Sequence, residues 1–214
     1  MILNITSNKL VINYFNKANE IENFGHIKSH ELIIFFIKLL NLNTKITECG
    51  DYLDNSYSTS ENLIRLSKDV FNNSSVGAIA VSMHELGHAI QHQSKNKLFK
   101  IFIFLSFVNK ITSVLLFPAI IFLIISLFLE TFYIKIALII LLCFYIINFF
   151  VRLIIIPVEK DASNKAINLL KKNSILTNNE LKIAKKLLNL ACFTYVGGFF
   201  KGYRKFFKKI LRGF

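Results

Sequence analysis

A chain of 214 residues with 53% hydrophobic side chains and a formal charge of +13 can hold one modest domain plus membrane segments, and it is too apolar for an ordinary soluble protein. The excess of 26 Lys and Arg over 13 Asp and Glu suits an anionic surface; with no recognisable RNA- or DNA-binding module in the sequence, lipid is the expected partner and nucleic acid is not. Cys49, Cys143 and Cys192 are far apart and form no CxxC pair, which argues against a disulfide framework or a cysteine zinc site and for a reducing compartment.

Residues 1 to about 28 are polar and rich in Asn, and Met1 to Asn19 lacks the charged-then-apolar pattern of a signal peptide, so internal segments are expected to insert. A helix is expected to follow, with Ser29 as N-cap and Leu32, Ile33, Phe36, Leu39 and Leu40 near helical spacing. Residues 44–50 and 62–67 alternate as short strands, and 51–61, rich in Asp, Asn and Ser, reads as a turn. Ser74 and Ser75 are candidate caps for a helix running through Ala78, Val81, His84, His88 and His92 to about Gln93.

Ile111 to Leu129 carries no charged residue, and a bilayer core needs a helix of roughly 20 residues, so this run is expected to span. Pro118 within it is tolerable in a membrane helix. After a short loop, Glu130 to Lys135, a second apolar run extends from Ile136 past Arg152 to Val158, and Arg152 near its end can snorkel to the interface. Leu98 to Val108, with Lys100 inside, reads as an interfacial lead-in. Lys95, Lys97, Lys100 and Lys110 precede the hairpin and Arg152 and Lys160 close it, while the loop carries only Glu130 and Lys135. The positive-inside rule therefore assigns the flanks, and the histidines with them, to the cytoplasm.

The more polar stretch 164–189 reads as one or two helices, and Leu187 to Phe200 is uncharged but too short for a clear span. In the tail, Tyr203, Phe206, Phe207, Ile210, Leu211 and Phe214 share one helical face, accompanied by Lys201, Arg204, Lys205, Lys208, Lys209 and Arg212. That is a basic amphipathic helix suited to anionic lipid head groups, or equally to packing on the domain.

The chemistry centres on His84-Glu-Leu-Gly-His88. On a helix this HExxH run sets two imidazoles one turn apart on one face, which suits two ligands of one Zn²⁺, and puts Glu85 beside the open position as a base. Gly87 permits another backbone to approach this helix closely. A catalytic zinc site needs a third ligand. His92 lies about 80° around the helix from His84 and fits poorly; the metzincin position, six residues past His88, is Ser94. Two crossings of the membrane return the chain to the histidines at Glu159. Asp161 follows two residues later, about 200° away on a helix, so a helix offers one of the two and a turn could offer both. Asp161 as a ligand, or as an acceptor for a ligand histidine, stays open.

His84-Glu-Leu-Gly-His-Ala-Ile-Gln-His92, an apolar hairpin, and Pro157-Val-Glu-Lys-Asp-Ala-Ser163 together resemble the YugP-like membrane zinc peptidases, also called neutral zinc metallopeptidases. Ile64-Arg-Leu-Ser67, Asp69-Val70 and Thr194-Tyr-Val196 extend the likeness over roughly 14 to 200. The order HExxH, hairpin, Glu is also similar to the HtpX-type proteases. The resemblance implies His84, His88 and Glu159 as ligands of one zinc ion per chain and Glu85 as catalytic base. The chain departs from the pattern at Asn55-Ser56-Tyr57-Ser58, where the family often carries Asp-His-Tyr-Asp, and Met1 to Lys17 is too polar for the membrane helix with which members usually begin.

The expectation is a mainly α integral membrane protein: a zincin-like HExxH helix, a small β element and a transmembrane hairpin. Residues 1–97 would form the first part of the catalytic domain, 98–158 the hairpin, 159–200 the second part with the third ligand, and 201–214 the basic tail. Its function would be zinc-dependent endopeptidase action on membrane or membrane-proximal polypeptides, in a multi-pass cell-membrane protein. Asp161 and His92 are candidates to support a ligand or to serve as an alternative one, Tyr195 is a candidate oxyanion donor, and the strand at 62–67 is a candidate substrate-pairing edge. The alternative is a catalytically reduced membrane scaffold or metal-binding protein, motivated by the changed 55–58 stretch.

Overall fold

The computed structural model describes residues 9–50, 54–129 and 131–192. The chain is mainly helical with one small sheet, in the order α1 (Lys9–Asn19), α2 (Ser29–Leu39), β1 (Lys45–Cys49), β2 (Ser56–Ser58), β3 (Leu63–Ser67), α3 (Lys68–Phe71), α4 (Val76–Gln93), α5 (Lys97–Ser126) and α6 (Thr131–Lys172). A further helix, α7, covers 178–192. Two compact units result: Lys97–Val158 forms one, and the described residues before and after it form the other.

α4 is the axis of the larger unit. Every residue from Val76 to Ala89 is buried, the mark of a core helix rather than a surface one. Its start is fixed by Ser75, whose Oγ accepts from the Ala78 N–H at 3.0 Å. α1 lies close against that start, where a Cβ on Gly77 would stand 3.1 Å from the Asn19 nitrogen. Around α4 the core gathers Phe15 of α1, Leu32, Ile33 and Phe36 of α2, Ile64 and Leu66 of β3, Ala166 and Leu170 of α6, and Leu187 of α7.

β3 is the middle strand. It runs parallel to β1, with Lys45 opposite Leu63, and antiparallel to β2, with Tyr57 opposite Ile64. Ile64 and Leu66 bury one face completely, as period-two alternation requires. Because both its edges are taken, the stretch 62–67 is not an open edge for an extended peptide; among the described residues β1 and β2 are the outer strands of the sheet.

Several local expectations change. α1 forms in the polar, Asn-rich stretch to which the sequence reading assigns no element, through Val11, Phe15 and Ala18 buried on one face. β2 forms inside the stretch read as a turn. Lys28, not Ser29, caps α2; Ser29 lies inside the first turn, and its hydroxyl donates to the Asn73 carbonyl at 3.0 Å. The chain through Glu159 and Asp161 is helix, not turn, since α6 continues past Pro157 to Lys172.

In the second unit, α5 and the first part of α6 are long and apolar enough to cross a membrane. The lead-in from Leu98 is continuous with α5. α5 buries Thr112, Ala119 and Ser126 at seven-residue spacing, and α6 buries Ala137 and Val151. Away from those positions the surface is large and apolar: Phe117 is 71% exposed and Phe128 85%.

Candidate metal centre

His84 and His88 occupy successive turns of one face of α4, and Glu159 reaches them from α6. The two Nε2 atoms stand 3.1 Å apart; a Glu159 oxygen lies 3.2 Å from His84 Nε2 and the other 3.6 Å from His88 Nε2. Ligand atoms at ~2.0–2.1 Å from a tetrahedral ion are about 3.3 Å from one another, so this group has the dimensions of three ligands sharing one zinc. All three side chains are buried. Two imidazole nitrogens and a carboxylate facing one another out of water need a positive charge between them.

What brings Glu159 there is a glycine and an alanine. Gly87 packs directly on the backbone of Ala162, and a Cβ at Gly87 would run into the Ala162 carbonyl oxygen. Ala162 and Ala166 are fully buried. Small residues on both sides let α4 and α6 approach until one turn of α6 faces the HExxH turn.

Each histidine is held from behind. His84 Nδ1 pairs with Ser163 Oγ at 3.0 Å, and His88 Nδ1 with Gln91 Oε1 at 2.9 Å. Gln91 Nε2 donates to Asp161 Oδ2 at 2.8 Å, and Lys165 pairs with Asp161 at 2.6 Å. Asp161 therefore stands behind Gln91, outside the three-residue group. Partial burial acts to raise its carboxyl, but the hydrogen bonds from Lys165 and Gln91 outweigh it and hold the group below the usual aspartate value. Sequence reading missed Ser163 and Gln91 as supports. The signal for Ser163 was its position one turn after Glu159; Gln91, three residues after His88, had the same helical signal.

Glu85 is fully buried, and neither carboxylate oxygen has a hydrogen-bond partner among the described residues. Burial pushes its pKa up, against the opposing pull of His84 and His88. Burial likewise acts to raise Glu159, but the two histidines overcome it and bring its carboxyl down to about 2; burial acts to lower His88, but Glu159 overcomes it and raises that pKa. A buried carboxylate with unpaired oxygens one residue from a metal-sized group is chemically poised to meet a water or substrate proton. The residues present thus fit a zinc ion.

His92 is directed elsewhere: its Nδ1 lies 2.9 Å from the Tyr57 hydroxyl, linking α4 to β2. Tyr195 and the basic tail lie outside the described residues.

Comparison with known proteins gives the same direction. The family model described as "Putative neutral zinc metallopeptidase" matches residues 1–212. The chain is similar to the "Putative membrane protease YugP" of Bacillus subtilis (strain 168), 31% identical over 148 residues, which cover 67% of this chain and 61% of that relative. The match thus spans less than two thirds of the relative's own length. No solved structure matches. A family match over nearly the whole chain, meeting a buried two-histidine, one-glutamate group, settles kinship: the chain belongs to the neutral zinc metallopeptidase family.

Proposed function

We propose that the protein is a membrane-embedded zinc endopeptidase that cleaves membrane or membrane-proximal polypeptides, with its catalytic face in the cytoplasm. The observation that carries this reading is the convergence of His84, His88 and Glu159 beside the unpaired, buried carboxylate of Glu85. His84, His88 and Glu159 would hold one zinc ion. Bound there, zinc supplies Lewis-acid polarisation of a carbonyl and lowers the pKa of water.

The protein's own groups do the rest. Ser163 and Gln91 orient the two imidazoles so that both Nε2 atoms face Glu159. Glu85 takes the proton of the attacking water on its carboxylate and delivers it to the leaving amine; a pKa raised by burial makes it a better acceptor for that task. Burial of the whole group excludes bulk water, which strengthens each of these interactions. An extended substrate would pair with an outer strand, and β2, tied to α4 through Tyr57 and His92, is the edge nearest in structure to the catalytic helix.

Membrane embedding is supported by where the apolar side chains are. A core helix of a soluble protein buries its apolar residues; α5 and the apolar part of α6 leave almost all of theirs outside. Basic flanks on both ends away from the loop favour the cytoplasmic side for the site.

The test uses the full chain purified in detergent, its zinc content measured, with an unfolded casein-like substrate. Glu85→Gln is expected to keep zinc and abolish cleavage. Equal cleavage by Glu85→Gln would refute the mechanism, and a parent protein that binds zinc yet cleaves nothing would favour the scaffold reading.

A further inference from the structure

We propose that Asp161 dictates which nitrogen of His88 carries the proton, acting at one remove through Gln91. The inference rests on the reading of His88 as a metal ligand and concerns how that ligand is made ready.

Donors and acceptors fix the order of the chain from Lys165 to His88. Lys165 Nζ lies 2.7 and 2.6 Å from the two Asp161 oxygens, and Asn96 Nδ2 donates to Oδ2 at 3.3 Å. Held by an ammonium group, Asp161 is an ionised carboxylate and can only accept. The end of Gln91 that meets it at 2.8 Å must then be the amide nitrogen. That leaves the amide oxygen facing His88 Nδ1 at 2.9 Å. A carbonyl oxygen can only accept, so Nδ1 must carry the hydrogen, and in the neutral ring Nε2 keeps its lone pair. Nε2 is the atom that faces Glu159 and His84.

Gln91 is 1% exposed, so water cannot easily take either end of its amide. Without a one-way neighbour a glutamine can present either end; Asp161 removes the choice. His84 has no such control. Its Nδ1 partner is the Ser163 hydroxyl, which donates or accepts equally well. The two histidines of the motif are therefore prepared differently: once neutral, one is fixed in the metal-ready tautomer, and the other is free to adapt.

Asp161 and Gln91 are positioning residues, and their test reads zinc affinity and histidine tautomer rather than turnover. The full-length protein in detergent would be titrated with Zn²⁺ against a chromophoric chelator. Histidine ¹⁵N shifts of the zinc-free protein, recorded at alkaline pH where the ring is neutral, would report the His88 tautomer. Asp161→Asn lets Gln91 turn either way, and zinc is expected to bind about 10–100-fold more weakly, with His88 showing mixed tautomers. The double variant Gln91→Glu with Asp161→Asn exchanges the carboxylate and the amide between the two positions. The carboxylate introduced at position 91 can only accept, so it takes a hydrogen bond from His88 Nδ1 and another from the amide introduced at position 161. This variant is expected to recover most of the affinity and the single tautomer, which a purely structural role would not produce. Asp161→Asn binding zinc as tightly as the parent, or a double variant no better than the single one, overturns the inference. A parent protein that binds no zinc overturns the proposed function instead.

Discussion

Gly87 and Ala162 touch backbone to backbone: a Cβ on Gly87 would stand 3.0 Å from the Ala162 carbonyl carbon and 3.1 Å from its Cα, and closer still to its oxygen. In an isolated helix, replacing Gly by Ala gains about 0.5–1 kcal/mol. Here the obstacle is backbone, which cannot rotate aside, and overpacking of this kind costs about 1–3 kcal/mol. Gly87→Ala is therefore expected to lower the thermal midpoint and, because α6 must retreat with Glu159 on it, to weaken zinc binding. A variant that melts higher and holds zinc as well as the parent would contradict the account of how Glu159 reaches the histidines.

The charge pairing at the centre gives the metal-free protein a defined pH response. Glu159 is held at about 2 against an ordinary value of 4.5, so its contribution to stability is present above pH 4.5 and is lost as pH falls through about 2. His88 is raised above 6.5, so its contribution is present below pH 6.5 and is lost as pH rises through its folded value. The pair alone contributes most between about pH 4.5 and 6.5, while Glu85, raised by burial, subtracts stability as pH rises above 4.5. The Glu159 limb is worth on the order of 3 kcal/mol. Glu159→Gln should flatten both limbs in EDTA and abolish zinc binding; an unchanged melting profile from about pH 3 to about pH 9 would speak against the pairing.

How much of this was legible depended on whether the signal was local. α4 was readable to its last residue because Ser75, the apolar spacing and HExxH all lie within it or at its edge. Glu159 was reachable because the two apolar runs between it and the histidines, if each crosses a membrane, bring the chain back to their side. β2 was not readable, since three residues, Ser56–Ser58, take strand form only because β3 lies beside them. α1 hid among asparagines, its stripe of Val11, Phe15 and Ala18 meaningful only against α4. Asp161 was left between two roles because its partner, Gln91, is 70 residues earlier. The start of α7 could have been found: Thr177 and Glu180 form a capping box, with Glu180 Oε2 accepting from the Thr177 N–H.

The exposed face of α5 permits a test of embedding independent of zinc. Phe117 sits mid-helix and is 71% exposed. If α5 spans the bilayer, Phe117→Arg places a charge near its centre at about 2.5–3.5 kcal/mol on translocon-insertion scales. The variant is expected to shift from the carbonate-resistant membrane fraction into the soluble or degraded pool. Lys97→Arg, at the basic end of α5, should leave the distribution unaltered. If Phe117→Arg stays as firmly in the membrane as the parent, α5 does not span there.

Glu180 offers the sharpest stability prediction away from the site. It is buried, and its two oxygens are committed to different backbone donors, the Phe24 N–H at 2.9 Å and the Thr177 N–H at 2.6 Å. One closes the start of α7, and the other ties α7 to the loop between α1 and α2, neighbours only in the fold. Gln at this position retains one acceptor and turns an N–H donor toward the other N–H. Phe24 and Thr177 are themselves exposed, so water can partly replace either bond, and each one lost costs about 0.5–1.5 kcal/mol. Glu180→Gln should therefore lose roughly that amount, and Glu180→Ala, which abandons both donors, clearly more. Because neither donor lies in the metal group, zinc stoichiometry should stay at the parent's value. Chemical unfolding of the detergent-solubilised protein, followed by near-ultraviolet circular dichroism, orders the three proteins. Equal stabilities for Glu180→Gln and Glu180→Ala would mean that only one of the two hydrogen bonds contributes.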